Sequence, residues 1–520
     1  MNPGARPCWL AGGWVVDGTG DPPFVADVVL RDGQIESIGC ESDLAREGSD
    51  SPLTLDCRGM VIAPGFIDVH SHSDLQVVEG RNEKLVQGVT AEVVGNCGFS
   101  PFPKPADPRV LRSFANGILG GSGDWGWASA GEYLRSAAQS PTANVAALVG
   151  HGSLRLTIAG QACRPLCPSE LDQMVGALKD ELAQGAAGLS SGLMYAPGSA
   201  ADLDELCQLC AVVAEHRAIY ATHMRDYGSR LLPAVQEQIE IAERTGCRLQ
   251  ISHLQAVGEE NWPLQQRAIA VIEAAVARGI DIAFDAYPWL AGSTVLTQLL
   301  PQSALDGGLL AFRERISDPQ ERERIVLSIQ AEHGRRWQDL VISASKHSES
   351  DIIGRSIQEI AMQRCLSPAN TVLEILDQQD GDANILEYNQ SIENLRALIT
   401  HPLCIVVTDG LYSRGQRHPR LYGTFPKLLG EIVRDRKWLS LPEAVRKVTS
   451  FPAERFHLHR QGSVKPGNIA NLVIFDPDKI QNHGSYDHPT KSPSGIRYVI
   501  RNGSVLVGDS SSSGANASIS

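Results

Sequence analysis

The sequence predicts an α/β protein: a (β/α)8 TIM-like barrel, a small β domain formed from both termini, and an insertion after the seventh barrel strand. Three observations lead there. Short apolar strands alternate with amphipathic helical stretches through the middle of the chain. A polar, chemistry-bearing residue closes nearly every one of those strands. Strand-rich segments stand at both ends.

The N-terminal strands come first. "WVVDGTG", "FVADVVLRDGQIESIG" and "LTLDCRGMVIAPG" alternate apolar or β-branched residues with polar ones, and Arg31-Asp32-Gly33 reads as a hairpin turn. The pattern returns in "GSVKPGNIANLVIFDPD" and "GIRYVIRNGSVLVG", the second with an Asn502-Gly503 turn. Residues 1–64 and 459–508 are therefore expected to share one small β domain around a barrel over 65–458.

The expected barrel strands are "FIDVH", "TAEVVGN", "NVAALVGH", "AAGLSS", "AIYATH", "RLQISH", "DIAFDAYP" and "CIVVTDG". Between several of them, "LDQMVGALKDELAQ", "LLPAVQEQIEIAERTG" and "QQRAIAVIEAAVARG" repeat apolar residues at the three- and four-residue spacing of a buried helix face. Polar residues at the C-terminal ends of so many strands favour a barrel, because barrel active sites are built at that end. An open doubly wound sheet would not ordinarily gather six such ends around one point. The gap between the seventh and eighth strands is too long for one helix, so an inserted subdomain is expected over about 302–360, containing "FRERISDPQERERIVLSIQ" and "DLVISASK". The small polar tail, 509–520, is expected to be disordered.

A chain of 520 residues can bury a large core and favours more than one domain. The net charge of -14 argues against nucleic acid and against anionic membrane surfaces as partners; the partner expected, on the residues and the resemblance given below, is a small-molecule substrate. No segment approaches the roughly 18 apolar residues of a membrane helix. The N-terminus lacks a basic start followed by an apolar core, so a cytoplasmic location is expected. The 11 cysteines are scattered and odd in number, which argues against a disulfide framework; Cys163, Cys167, Cys207 and Cys210 read as buried structural thiols.

Chemistry concentrates at the strand ends. His70 and His72 in "FIDVHSHSD" are two apart, so both imidazoles leave the same strand face, with Asp68 and Asp74 expected to orient them. His223 closes "AIYATH", His253 closes "RLQISH", and Asp409 stands in the matching place in "CIVVTDG". Cys97, in "VTAEVVGNCGFSP", could be a small buried side chain, a redox thiol, a nucleophile or a metal ligand. Four histidines, a cysteine and an aspartate at strand ends form a donor set that suits Zn²⁺.

The motifs "VIAPGFIDVHSHSD", "GNCGFSP", "GHGSLR", "GLSSGLMYAPG", "THMRDYG", "ISHL", "DAYPW", "TDG" and "HPRLYGTFPKLLG" occur in the order seen in the D-aminoacylase (N-acyl-D-amino-acid deacylase) family of the amidohydrolase superfamily, which this chain resembles over nearly its whole length. The resemblance implies a zinc enzyme and makes Cys97 a ligand. Many amidohydrolases carry a carboxylated lysine on the fourth strand, where this chain has Ser190 and Ser191, and a thiolate supplies the negative charge instead. By the same resemblance, Cys97, His223 and His253 hold one tightly bound zinc. His70, His72 and Asp409 surround a weaker second divalent position, leaving Asp409 to act as the base. Arg420, Tyr287 and Ser293 match the residues that bind the substrate carboxylate.

Three departures stand out. Gln255 replaces a common lysine, Asp226-Tyr227 replaces "NEG"-like residues, and "GLYSRGQRHPR" differs from the family's usual histidine-containing loop. The first argues for a neutral, apolar substrate side chain, unless Arg414 or Arg417 reaches in. His151 in "GHGSLR" is a candidate oxyanion or pocket residue. The expected activity is zinc-dependent hydrolysis of N-acyl-D-amino acids. Opening of a cyclic amide or imide is the alternative, and a non-catalytic scaffold the remaining one.

Overall fold

The computed structural model describes residues 7–39, 53–120, 125–331, 336–346, 351–412 and 418–508. Segment 413–417, with Arg414 and Arg417, and the tail 509–520 lie outside the described residues.

All eight expected barrel strands form one parallel sheet in sequence order: Phe66–Asp68, Val89–Val94, Asn144–Gly150, Gly188–Gly192, Ile219–His223, Arg248–Ile251, Ile282–Ala286 and Cys404–Val406. The seam between the last strand and the first is closed just beyond their ends. Ser71 bridges Gly410, the Asp409 amide donates to the His70 carbonyl at 2.9 Å, and the His72 amide donates to the Gly410 carbonyl at 3.2 Å. Barrel closure therefore delivers His70, His72 and Asp409 to one place. The intervening helices, such as Pro168–Ala183, Leu231–Thr245 and Leu264–Ala277, bury their apolar stripes against the strands.

The termini meet in a second, eight-stranded sheet. Leu472–Phe475 runs antiparallel to Val61–Pro64, with Leu472 opposite Pro64. Both expected hairpins are present. Asp32 and Gly33 (φ 50° and 77°) join Arg31 to Gln34, and Asn502 and Gly503 (φ 49° and 79°) join Arg501 to Ser504. Positive φ at both central residues matches the twist of the flanking strands.

After the seventh strand the chain builds a layer with its own core. A three-stranded antiparallel sheet, Ala291–Val295, Ala383–Tyr388 and Leu340–Ser345, carries helices that include Gly308–Ser317 and Pro319–Ala331. Residues 302–360 lie inside this layer, whose sheet extends from Ala291 to Tyr388. The charged run is divided between two helices: Pro319 starts the second, and Asp318 accepts from the Gln320 and Glu321 amides at 2.9 Å each. Of the four cysteines singled out above, Cys210 is buried, Cys163 and Cys207 are half-buried, and Cys167 is exposed, at the start of helix Pro168–Ala183. No helix among the described residues is long and apolar enough to cross a membrane.

Candidate metal centre and substrate cavity

Local backbone geometry presents the donors. Cys97, His253 and Asp409 have positive φ (55°, 32° and 47°), a conformation non-glycine residues rarely adopt and one that recurs at functional sites. The turn carrying Cys97 rests on the fourth strand, where the Gly98 amide donates to Ser190 Oγ at 3.0 Å. A Cβ on Gly192 would lie 2.0 Å from the Cys97 carbonyl. Small residues on that strand make room for the cysteine turn.

The candidate ligands converge and are buried. His70 Nε2 lies 3.2 Å from Cys97 Sγ and 3.3 Å from Asp409 Oδ1, and His72 Nε2 is also 3.3 Å from Asp409 Oδ1. His253 Nε2 is 3.7 Å from the sulfur. Three overlapping triads have their ligand atoms within 4.8 Å of one another: His70–His72–Cys97, Cys97–His223–His253 and His70–His253–Asp409. Overlap of this kind is what two adjacent cation positions need. His223 Nε2 is buried without a hydrogen-bond partner. Buried polar atoms are nearly always satisfied, so an unsatisfied imidazole nitrogen beside a thiol and a second imidazole fits a divalent cation.

The electrostatics favour ligation at His72, His223 and His253. Burial depresses His223 well below the usual histidine range and takes His72 and His253 to about 4, so each offers a neutral nitrogen. For His70, burial acts in the same direction, but the negative charges of Cys97, Asp409 and Asp285 outweigh it and raise the pKa. Burial raises the Cys97 thiol, which a cation would reverse. For Asp409 burial alone would raise the carboxyl, but Arg420 and the histidines hold it well below its ordinary value.

The carboxylate that orients the His70 ring is Asp285, not Asp68 or Asp74. His70 Nδ1 donates to Asp285 Oδ1 at 3.1 Å, leaving Nε2 directed at the site, and the same oxygen accepts the His253 amide at 2.7 Å. Asp68 instead accepts from Thr408 and from Lys84 Nζ (2.7 Å), and Lys84 also contacts Glu92 at 2.9 Å. This buried ion cluster ties strand 1 to strand 8. Asp74 accepts the Gly95 amide at 2.8 Å, and burial pushes its carboxyl up to about 8. Asp285 carried a local signal, as the acid of "DAYPW" on the seventh strand. Tyr227, one of the departures, packs edge-on to His223 and tilted to His253 (centroids 5.1 Å in both cases), with its hydroxyl donating to the Ser252 carbonyl. Asp226 accepts the Gly228 amide at 2.7 Å and shapes that turn.

Arg420, Tyr287, Ser293 and Gln255 line the cavity that holds His72, Cys97, His223, His253 and Asp409. Arg420 Nη1 is 2.9 Å from Asp409 Oδ2, Nη2 donates to the Ser293 carbonyl at 3.1 Å, and the guanidinium lies 4.9 Å over the Tyr287 ring. The Arg420 amide donates to His418 Nδ1, and His418 Nε2 donates to the Ala291 carbonyl at 2.8 Å, which fixes the start of the arginine's helix. Gln255 Oε1 accepts from the Tyr287 hydroxyl at 3.1 Å and from Gln390 Nε2 at 2.8 Å. His151 is not in this group. It does not line the cavity, and its Nε2 donates to Glu205 Oε1 at 2.8 Å, beside the buried Arg155. The oxyanion role expected of it has no geometric support, because the helix that His151 begins directs the ring at Glu205 of a neighbouring helix.

Residues 53–507 match the Amidohydrolase family. The N-acyl-D-glutamate deacylase of Alcaligenes xylosoxydans xylosoxydans is 34% identical over 506 residues, covering 95% of this chain and 92% of that protein. The D-aminoacylase of the same organism is 32% identical over 517 residues, covering 98% and 96%. Among solved structures, the N-acyl-D-glutamate deacylase of Bordetella bronchiseptica, complexed with zinc and a phosphonate mimic of the tetrahedral intermediate, aligns with a TM-score of 0.81 at 30% identity over 96% of each chain. With its matching barrel and converging donors, this chain belongs to the D-aminoacylase branch of the metal-dependent amidohydrolase family.

Proposed function

We propose that this enzyme is a zinc-dependent hydrolase of N-acyl-D-amino acids that releases a carboxylate and a D-amino acid. The observation that carries the reading is the buried set Cys97, His223 and His253 with Asp409 and Arg420 in the same cavity. Cys97, His223 and His253 would hold the tight cation, and His70, His72 and Asp409 a weaker second one. A zinc ion bound there supplies Lewis acidity toward a carbonyl oxygen and acidifies water.

The chain's own groups supply the rest. Asp409 takes a proton from the attacking water and delivers it to the departing nitrogen, acting first as general base and then as general acid. The C–O bond forms as the amide C–N bond breaks, so the acyl group leaves as a carboxylic acid, which ionises, and the amino acid leaves as the amine. Arg420, held over Tyr287 and braced by the Ser293 carbonyl, offers its planar fork to the substrate α-carboxylate. Ser293 lines the same wall.

The relatives include a deacylase for N-acyl-D-glutamate, but Gln255 cannot neutralise a side-chain carboxylate. We therefore read the side chain as non-acidic. The neighbours of Gln255 are polar, so this wall gives no support to the apolar end expected from sequence.

Turnover of N-acetyl-D-methionine, its L enantiomer and a cyclic substrate, hydantoin, tests the reading with zinc-loaded protein. D-selective hydrolysis of the linear amide is expected. Preference for hydantoin would overturn it in favour of ring opening, and preference for the L enantiomer would overturn the stereochemistry.

A further inference from the structure

A second cavity adjoins the substrate cavity, and Tyr195 and Gln298 line both. Its apolar walls include Phe99, Phe114, Leu156, Met194, Leu305 and Leu309. Among the described residues that line it there is no carboxylate, ammonium, guanidinium or imidazole group. Aromatic rings lead into it from the metal donors. The His223 ring packs on Tyr195 (centroids 4.8 Å apart), Tyr195 stands edge-on to Phe99 (5.0 Å), and Phe99 stacks on Phe114 (4.5 Å). Gln298 stands at the junction, with its Nε2 donating to Met194 Sδ at 3.2 Å. A thioether is a weak acceptor, so displacing this side chain costs little.

The insertion covers the second cavity. Leu305 ends the helix Gln302–Leu305, and Leu309 lies in the first turn of Gly308–Ser317. Between them, the Gly307 amide donates to the Gln161 carbonyl at 3.1 Å, and Asp306 accepts the Cys163 amide at 2.7 Å. These bonds pin the two leucines to the loop that follows helix His151–Ala159. Phe114, Met194, Leu305 and Leu309 are only half-buried, so apolar surface remains to be covered. An apolar ligand group that covers it gains the hydrophobic free energy of that area.

The amino-acid half of the substrate is accommodated elsewhere. Arg420, Tyr287, Ser293 and Gln255 line the substrate cavity, and none of them lines the second one. Resting on the deacylase reading, we propose that the second cavity receives the acyl group, and that the preferred substrates carry an apolar acyl chain longer than acetyl. The α-carboxylate meets Arg420 and the scissile amide lies beside Cys97 and His223. The acyl chain then runs past Tyr195 and Gln298 between Phe114 and Leu309, and leaves after hydrolysis as a longer alkanoate.

The test compares kcat/KM for N-acetyl-, N-hexanoyl- and N-glutaryl-D-alanine in the zinc-loaded parent and in Ser113→Phe. Ser113 lines the second cavity from helix Pro108–Ala115, where a phenyl ring would take up the space. A fourth compound, N-acetyl-D-2-aminoheptanoate, lengthens the amino-acid side chain by as many methylenes as hexanoyl adds to acetyl. A buried methylene is worth about fourfold, so the parent is expected to favour hexanoyl over acetyl by at least about tenfold. Glutaryl, of similar length but anionic, should fall well below hexanoyl because the cavity offers its carboxylate no cation. Ser113→Phe should bring the hexanoyl-to-acetyl ratio close to one, and taking the ratio within each protein cancels any loss of folded enzyme. If the variant is inactive, the parent's ratios still decide. Acetyl or glutaryl turned over as well as hexanoyl by the parent overturns this inference while leaving the deacylase reading standing. So does an undiminished ratio in an active variant, or a loss there that falls on the aminoheptanoate instead of the hexanoyl compound. Failure of the parent on all four compounds and on N-acetyl-D-methionine overturns both.

Discussion

Arg420 Nη1 lies 2.9 Å from Asp409 Oδ2, and both side chains are buried. The contact joins the group that would move the proton to the group that would anchor the substrate, so binding of a carboxylate at Arg420 is coupled to the state of the base. Removing either partner separates the two functions.

Asp409→Asn retains the shape of the side chain but not its basicity. Turnover should fall by ~10²–10⁴, the usual contribution of a positioned acid–base group, while most of the tightly held metal remains. Metal content and kcat measured on the same preparation check this. Parental kcat in the variant would sink the assignment.

Arg420→Met removes the fork that receives the α-carboxylate. A charge-assisted hydrogen bond contributes about 1.5–3 kcal/mol, so kcat/KM should drop by roughly ten- to a hundredfold. Arg420→Lys should recover part of that, because it restores charge without the bidentate geometry. An amide substrate lacking the carboxylate should lose much less in either variant. An equal loss for both substrates would argue for a structural role instead.

Asp285→Asn weakens the bond that directs His70 and alters the support of the His253 amide. Metal affinity should fall by about 10–100-fold, as is usual for a carboxylate behind a ligating histidine. Competition with a chromophoric chelator reads this without reference to activity. By contrast, Asp68→Asn, which disturbs the Lys84 cluster, should affect stability more than affinity.

His151 and Glu205 make acid-side stability testable away from the metal. Burial depresses His151, and His151 and Arg155 together hold Glu205 low despite its burial. The unfolded chain therefore binds more protons than the folded one at both positions. Stability from His151 is complete above its unfolded pKa of about 6.5 and is lost as the pH falls; that from Glu205 is lost later, as the pH falls through its depressed folded pKa. His151→Gln should lower the urea midpoint at about pH 7.5 yet reduce the further drop between there and about pH 5. An equal drop in parent and variant would show that the imidazole does not titrate with unfolding.

Residue order alone determines a large part of this protein. The alternation of short apolar strands with amphipathic helices specifies eight parallel strands, because each strand must bury itself beneath a helix face, and the Asp32-Gly33 and Asn502-Gly503 turns specify their hairpins through backbone sterics. The candidate metal donors were legible as well. All stand at the ends of strands, and a parallel barrel brings those ends together whatever the loops do.

Tertiary structure decided which groups partner these donors and what surrounds the substrate. Asp68 and Asp74 are close to His70 in sequence, yet the carboxylate that holds its ring is Asp285, 215 residues away, because Asp68 is taken by Thr408 and Lys84 and Asp74 by the Gly95 amide, whereas Asp285 reaches the ring from across the barrel. His151 stands at a strand end like the candidate donors, but the helix that follows turns its ring toward Glu205. Glu387 reaches the cavity only because the insertion's strand pairs with Ala291–Val295 in a register that sets it opposite Gly292. Local sequence encodes periodicity and chemistry over a few residues. The choice of partner for a buried charge is made by packing between segments remote in the chain, where desolvation makes every such pairing consequential.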